Sequence, residues 1–400
     1  MRGEEDEEKF YALLPAMTGT MIGLACTRDL FNLWVWFEAM AITSYLLVAF
    51  YNNQKNALEA AVKYLVQSSI GSLLVLLGIA LVFVQTATLN LDEIRPLLAD
   101  SGMVSLAAGA LFIIGFGVKT ALVPMHTWLP DAHSQAPSGI SAMLSGVMIE
   151  SGLVAMLRAL GCLSEASPAW GALLLAFAAL NILYGNLMAL RQTEVKRLLA
   201  YSSLAQVGYM LLGFGIALAY GIKDGAAGGF FHLFNHAMMK GLAFLAAGAL
   251  LYALHVSRGS HQPLVLNDLN GAARRYPVTA FALSVAVLGL AGLPPLSGFM
   301  SKWQIFLAGA EVRSTPLLWL IIFAGVNSVL SLGYYAPMVN RMFRRQPSEA
   351  VLEGKPVAAL MALPILVLTL FTVAVGFWPS LVTWLSEPAA ASLLAAFGLH

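Results

Sequence analysis

The sequence predicts an all-α, polytopic integral membrane protein with about eleven transmembrane helices. Hydrophobic residues make up 59% of the 400-residue chain and charged residues only 11%, whereas soluble domains contain about 25% charged residues. The apolar residues also gather into runs of about 20, the length that crosses a bilayer as a helix. A soluble fold could not cover so much apolar surface, so lipid must be the solvent for much of the chain.

The apolar runs give the order of the helices along the chain. We place them near residues 11–27, 30–50, 60–84, 104–130, 138–160, 169–190, 198–220, 227–254, 278–310, 316–338 and 357–377. Residues 1–10 form a polar extension that is acidic, unlike the basic start of a signal peptide. The tail 379–400 is weakly amphipathic, which fits a position along the membrane interface.

Prolines interrupt two of these helices, near 119–130 and near 292–302. The prolines concerned are Pro124, Pro294 and Pro295. Proline removes a backbone donor and clashes with the preceding turn, and the freed carbonyls are tolerated at membrane depth only where they are buried or line a wet cavity. We therefore expect functional sites at both breaks.

One broken helix in each half of the chain predicts two inverted five-helix repeats. The first half covers residues 11–160 and the second covers 169–338, with a C-terminal helix and tail at 357–400. Most basic loop residues fall on the side that holds the N-terminus, and such residues concentrate in cytoplasmic loops. We expect the N-terminus in the cytoplasm and the C-terminus outside.

The composition excludes several functions. The formal net charge of +1 gives no reason to expect nucleic-acid binding. Two cysteines, Cys26 and Cys162, cannot supply the four thiolates of an iron–sulfur cluster. No phosphate-binding loop or convincing dinucleotide fingerprint is present. We expect no cofactor in this chain, so any redox chemistry would take place in other chains.

Five ionisable side chains fall inside the predicted membrane helices. They are two carboxylates and three amines: Glu38, Glu150, Lys119, Lys240 and Lys302. Each costs about 2.5–3.5 kcal/mol at the centre of a bilayer, so their number indicates a function in ion transport. Opposite charges come close to neutralising one another, which makes joint burial less costly.

The helix 227–254 carries the clearest pattern. His232, His236 and Lys240 stand at i, i+4 and i+8 and therefore share one face. Histidine, and lysine held out of water, can exchange protons near neutral pH. This row predicts part of a proton relay.

Other interpretations of these residues stay open. A buried Lys–Glu pair can be purely structural. His232 and His236 have the spacing of metal ligands, but the glutamate of an HExxH motif and a third ligand are absent, so we expect no metal site. His126 and His133, near the first break, fit a place in the pathway and a place at the interface equally well.

Four segments resemble signatures of the antiporter-like proton-translocating membrane subunits. They are Val118–His133, Thr193–Tyr209, Phe231–Lys240 and Gly292–Lys302. This family contains the L-, M- and N-type subunits of NADH–quinone oxidoreductase and has relatives in multisubunit cation/proton antiporters and energy-converting hydrogenases. The resemblance covers about residues 11–380 and is nearest to the M and N types, since a long lateral C-terminal helix is lacking.

The resemblance implies a proton pathway and a set of partners. Glu38 resembles the family's glutamate and Lys119 the lysine that pairs with it. Lys240 and Lys302 resemble lysines that would pass protons sideways and then outward. Other membrane and peripheral subunits of a respiratory or antiporter complex, in a bacterial plasma membrane, would be the partners.

Two features depart from the family pattern. Family members usually begin with three further helices, which a partner chain could supply here; a split gene or a misassigned start are the alternatives. Glu150 stands where members often carry a lysine. We expect it to face the polar axis within reach of Lys119 or Lys240 and to accept protons between the repeats, or else to serve as a single counter-ion.

Three functions therefore compete. The first is a proton-conducting, non-redox subunit of a complex I-like NADH–quinone oxidoreductase. The second is a subunit of a cation/proton antiporter or membrane-bound hydrogenase, which sodium-dependent rescue of salt-sensitive cells would favour in the antiporter case. The third is a scaffold that spans the membrane without conducting protons. Transport that is retained after neutralisation of Lys119 or Lys240 would favour it.

Overall fold

The computed structural model describes residues 7–98, 102–164, 169–260 and 262–399, so most of the predicted polar extension lies outside the described residues. Within these ranges the chain is helical, and its only β-type pairings are two isolated bridges. Nine of the described helical segments are long and apolar enough to cross a membrane. The all-α polytopic fold is confirmed, whereas the total of eleven spans stays a prediction.

The first half of the described chain contains eight helices. They are α1 (Glu7–Cys26), α2 (Leu30–Val48), α3 (Lys55–Thr86), α4 (Leu91–Leu97), α5 (Met103–Thr120), α6 (Trp128–Gln135), α7 (Ser138–Met143) and α8 (Ile149–Gly161). A π-helical turn, Leu144–Met148, joins α7 and α8 into one span.

The second half and the tail continue the helical order. Their helices are α9 (Trp170–Leu190), α10 (Val195–Tyr220), α11 (Lys223–Leu254), α12 (Pro277–Ala291), α13 (Ser297–Glu311), α14 (Thr315–Arg344), α15 (Glu349–Glu353), α16 (Ala359–Phe377) and α17 (Ser380–Ala396). Short 3-10 turns lie at Val256–Arg258 and Ala272–Arg274.

Helix α10 forms the centre of the molecule. Nearly all of its residues are buried, and it packs against α9 on one side and α11 on the other. A helix that is apolar all round is buried on all sides. The few polar residues of α10, among them Ser202 and Gln206, are therefore held in the interior.

Both helix breaks predicted from the prolines are confirmed. Pro124 lies in non-helical backbone between α5 and α6, and Pro294 and Pro295 lie in non-helical backbone between α12 and α13. The chain thus carries one broken helix in each half, as expected. The inverted relation between the halves stays a prediction.

Side chains satisfy the backbone groups that the first break leaves free. The Nε1 of Trp128, at the start of α6, donates to the carbonyl of Val118 at 2.7 Å. The Nδ2 of Asn181, from α9, donates to the carbonyl of Ala121 at 3.2 Å. Buried polar groups need such partners, so the break is stable at depth.

The second break is organised around one backbone carbonyl. The carbonyl of Leu290, at the end of α12, accepts from Lys302 Nζ at 2.8 Å and from Gln206 Nε2 at 3.0 Å. Gly292, at φ +83°, adopts the left-handed conformation that favours glycine and turns the chain away from the helix.

The C-terminal tail is a packed helix. α17 contacts α11 and α8, and Val382 near its start packs with Phe231 and Val375. Near its end, the carbonyl of Ala395 accepts from Arg95 at 3.0 Å. The tail therefore ties the second half to the first, while its position relative to the membrane interface stays a prediction.

Candidate functional site

The three lysines predicted to lie in the membrane are all buried. Lys119, Lys240 and Lys302 are 1%, 0% and 2% exposed. Across the described ranges, none of them forms an ion pair with a carboxylate. Each ammonium donates to hydroxyls or backbone carbonyls instead. A dehydrated charge without a counter-charge is costly, which argues against a purely structural role.

Lys119 is held by α3. Its Nζ donates to the Tyr64 hydroxyl at 2.7 Å and to Ser68 Oγ at 3.3 Å. Tyr64 and Ser68 stand at i and i+4 and so share one helix face. The Tyr64 ring also lies 4.6 Å from Nζ and stacks on Trp128 at 3.9 Å, so the first break helps to fix the lysine.

Glu38 and Lys119, the predicted pair, interact through their charges but form no salt bridge among the described residues. α2 presents Phe37 to the lysine, with the ring centroid 5.8 Å from Nζ. The buried Oε2 of Glu38 has no hydrogen-bond partner among the described residues.

The row on α11 is confirmed as one buried face, but its members contact different helices. Lys240 donates to the carbonyl of Leu199 at 2.6 Å and to Ser202 Oγ, both on α10. His232 and His236 are also fully buried. His232 contacts α10 and α13, whereas His236 contacts α8.

His232 and Lys302 share one hydrogen-bonded network. The Nδ1 of His232 lies 2.9 Å from Ser301 Oγ, and its Nε2 lies 3.0 Å from Gln206 Oε1. Gln206 in turn donates to the carbonyl of Leu290, which also accepts from Lys302. The network fixes the imidazole beside the second break.

Lys302 has a second set of contacts on α14 and α10. Its Nζ donates to Ser328 Oγ at 3.0 Å and lies 4.2 Å from the centroid of the Tyr209 ring. The Ser328 hydroxyl in turn donates a hydrogen bond to the carbonyl of Ala291 at 2.9 Å. Both broken helices thus hold a lysine against a hydroxyl and an aromatic face.

Glu150 is buried and bonded to a histidine. Its Oε1 lies 2.6 Å from His236 Nδ1, so its hydrogen-bond partner is a histidine, and its reach to Lys119 or Lys240 stays a prediction. Gly146, in the π turn, explains the meeting: a Cβ there would lie 2.9 Å from the carbonyl of Ala237. Glycine lets the π turn approach α11 closely and brings Glu150 against His236. Such turns often mark functional sites.

The neutral partners of the lysines and of His232 are absent from the sequence-based site. They are Tyr64, Ser68, Ser202 and Ser328 for the lysines, and Gln206 and Ser301 for His232. Serine, glutamine and tyrosine occur widely in membrane helices, so their identity gives no signal. Two of them do stand at i and i+4, Ser202 with Gln206, inside a motif of the resemblance.

A cavity of about 580 Å³ with both polar and apolar walls lies near the start of α10, between α3, α6 and α11. Glu194 and Lys196 line it; Glu194 accepts from Ser134 Oγ at 2.7 Å, and Lys196 donates to the carbonyl of Ser134 at 3.2 Å. Burial raises the pKa of the Glu194 carboxyl, although the hydrogen bond from Ser134 opposes this. The predicted helix 198–220 begins after Lys196 and so leaves this residue in a loop, whereas α10 begins at Val195.

His126 and His133, the two histidines near the first break, are buried. His133 stacks on Phe244 with ring centroids 4.8 Å apart, and His126 lies edge-on to Tyr184 at 4.6 Å. Neither nitrogen of His133 has a hydrogen-bond partner in the described part of the chain. Both residues therefore lie in the protein interior rather than on its surface.

No cluster of three His, Cys, Asp or Glu side chains that could hold a metal ion occurs within the described ranges. The pair with ligand spacing, His232 and His236, turns to separate partners on separate helices. What the arrangement offers chemically is a series of buried groups that can gain and lose protons.

Known proteins share this arrangement of helices. The family model described as NADH:quinone oxidoreductase/Mrp antiporter, TM, matches residues 27–331. F(420)H(2) dehydrogenase subunit N of Methanosarcina mazei is 34% identical over 377 residues, which are 93% of this chain and 75% of the relative. NADH-quinone oxidoreductase subunit N of Desulforudis audaxviator is 33% identical over 395 residues, 94% of this chain and 75% of the relative.

A solved structure extends the likeness to three dimensions. A chain of the membrane-bound sulfane sulfur reductase, an archaeal respiratory membrane complex, matches with a TM-score of 0.88 and 32% identity. The match covers 99% of this chain and 78% of that one.

Proposed function

The chain belongs to the NADH:quinone oxidoreductase/Mrp antiporter family of membrane subunits, and from that premise we propose that it conducts protons as a non-redox subunit of a complex I-like oxidoreductase. One observation carries the proposal: three ammonium groups are buried, and none of them forms a salt bridge with a carboxylate among the described residues. Such groups are poised to give up a proton, because dehydration favours the neutral amine.

The proposed path runs sideways through the molecule. α8 packs against α5, with Gly152 beside the stem of Lys119, and it carries Glu150 to His236 on α11. A proton released by Lys119 would reach the Glu150–His236 pair, then Lys240, and then Lys302 at the second break. Glu38 would act on Lys119 through its charge, at longer range than a direct ion pair.

The proton would be taken up from the side of the N-terminus. The cavity lined by Glu194 and Lys196 opens there, and a buried carboxyl with a raised pKa can accept protons at the pH of a cell interior more readily than an exposed one. Following the positive-inside rule, we assign the N-terminus to the cytoplasm and the C-terminus to the outside.

Other subunits would supply the driving force. The relatives compared above bear the names of dehydrogenase and oxidoreductase subunits, and the solved relative is part of a respiratory complex. The redox chemistry would take place in partner chains, and a conformational or electrostatic change passed between subunits would alter the proton affinity of Lys119.

A cation/proton antiporter subunit is the second candidate. The description of the matching family names the Mrp antiporter beside NADH:quinone oxidoreductase. In this case the same lysines would exchange protons, but transport would require sodium or another cation on the opposite side of the membrane.

Reconstitution of the assembled complex in proteoliposomes tests the proposal. A pH-sensitive dye would report acidification driven by the electron donor, for wild type, Lys119→Ala and the control Lys223→Ala, whose lysine is exposed at the start of α11. We expect loss of acidification only in Lys119→Ala, with no requirement for sodium. Acidification by Lys119→Ala at the wild-type rate would contradict the proposal, and a sodium requirement would support the antiporter instead.

A further inference from the structure

We propose that Glu150 is a carboxyl group reachable from lipid, and a site of covalent modification by small lipid-soluble carbodiimides. A cavity of about 150 Å³ opens beside it on the outer surface of the helix bundle. Its walls come from α1, the π turn with α8, and α11, and include Val147, Ser151 and Leu233. We call it the lateral cavity.

The lateral cavity lies at membrane depth. On the π turn and α8, the lining residues 147–154 occupy the middle of the span Ser138–Gly161. Val147, at the mouth, is 38% exposed, and most of the lining is apolar. A surface of this chemistry at mid-span faces hydrocarbon rather than water.

The wall formed by α1 is fastened in place. Arg158, at the end of α8, donates to the carbonyls of Leu24 and Ala25 at 3.0 and 3.1 Å. These residues close α1 and line the lateral cavity. These bonds hold the end of α1 against α8 beside the lateral cavity.

The size of the lateral cavity and the Glu150 carboxyl beside it suit reaction with a carbodiimide. A cavity of this size holds a ring of about the size of benzene, so one ring of dicyclohexylcarbodiimide can enter while the rest stays in lipid. A proton lies between Glu150 and His236, whose Oε1 and Nδ1 are 2.6 Å apart. The side chain of Glu150 keeps 5% of its surface open.

The reaction needs no further reagent. The proton shared by Glu150 and His236 passes to one carbodiimide nitrogen, and the carboxylate oxygen bonds to the central carbon to give an O-acylisourea. Transfer of the acyl group to nitrogen then gives a stable N-acylurea. No oxidant or reductant takes part, and the apolar walls keep away the water that would hydrolyse the first adduct.

Modification would have a functional consequence that rests on the proposed function. An acylated Glu150 cannot exchange a proton with His236, so proton conduction should stop. The binding of the reagent itself depends only on the lateral cavity and the carboxyl, and the two statements can be tested separately.

Labelling of the assembled complex in lipid vesicles is the test, with the Glu150 peptide quantified by mass spectrometry. We expect dicyclohexylcarbodiimide to label wild type and to spare Glu150→Gln at this peptide. A water-soluble carbodiimide should leave Glu150 unlabelled. Val147→Trp, which fills the mouth but keeps the carboxyl, should lower labelling at least tenfold; Val329→Trp, at a position 67% exposed on α14, should not.

Several outcomes would overturn the proposal. They are absence of label on Glu150, equal labelling by the water-soluble reagent, and wild-type labelling of Val147→Trp. Labelling only after the subunits are separated would mean that a neighbouring subunit covers the lateral cavity, and would overturn it as well. Labelling at Glu150 with undiminished proton flux would support lipid access and contradict the relay role given to Glu150.

Discussion

Replacing Lys240 by methionine separates a relay residue from a structural one. The Lys240 ammonium is fully buried and makes two hydrogen bonds, to Leu199 O and Ser202 Oγ. Hydrogen bonds to a charged group contribute about 1.5–3 kcal/mol each. Burying the ion costs several kcal/mol, so the two contributions nearly cancel.

Removal of the ammonium should leave no buried polar atom without a partner. Ser202 Oγ already donates to the carbonyl of Leu199 at 2.8 Å, and methionine has nearly the length and flexibility of lysine. We therefore expect Lys240→Met to change the free energy of unfolding by no more than about 2 kcal/mol, or to increase it, because the dehydration cost of the ion disappears along with its hydrogen bonds.

Proton transport, unlike stability, should decrease strongly in Lys240→Met. Without a group that can accept a proton at this point, the barrier rises by the cost of a dehydrated charge, and each 1.4 kcal/mol lowers the rate tenfold. We expect at least a hundredfold loss in the rate of vesicle acidification. Thermal unfolding of the purified complex and the amount assembled would be measured beside it, with Lys223→Met as the matched control.

Two results would refute this reasoning. Acidification by Lys240→Met at a rate close to that of wild type would show that the path does not pass through Lys240. A large loss of stability or assembly, with acidification reduced only in proportion, would assign the lysine a structural role.

Three further substitutions probe the contacts around the lysines. Tyr64→Phe removes the 2.7 Å bond to Lys119, so acidification should fall about 10- to 100-fold; an unchanged rate would remove Tyr64 from the path. Gln206→Leu leaves buried His232 Nε2 without its partner, which should cost about 1–3 kcal/mol of stability and lower acidification in intact complex; loss of stability alone would limit Gln206 to packing. Asn181→Ala frees the backbone of the first break and should lower stability by about 1–3 kcal/mol per unsatisfied group without changing the protons moved per electron; a change in that ratio would place Asn181 in the path.

The sequence supported the helices and their breaks because those features depend on local composition. Apolar runs locate the spans, and Pro124, Pro294 and Pro295 locate the breaks since proline acts on its own turn. Helix ends were less certain: α14 extends to Arg344, beyond the predicted 338, because long basic side chains let a helix continue out of the hydrocarbon.

The contacts between helices could not be read in the same way. Periodicity placed His232, His236 and Lys240 on one face, but it does not say which helix faces them. Glu38 was paired with Lys119 by resemblance alone; in the structure the lysine takes its hydrogen-bond partners from α3, and Glu38 acts on it through its charge. Glu150 meets His236 through a π turn and a close approach at Gly146, two features that the hydrophobic pattern does not reveal.

The number of protons moved per electron, measured for Lys119→Ala in the reconstituted complex, tests the central claim most directly. Electron transfer in partner chains provides an internal reference, since the redox rate is measured in the same vesicles. Conduction through this chain predicts a ratio lower than that of wild type and of Lys223→Ala, at equal assembly. A ratio equal to that of wild type would contradict it.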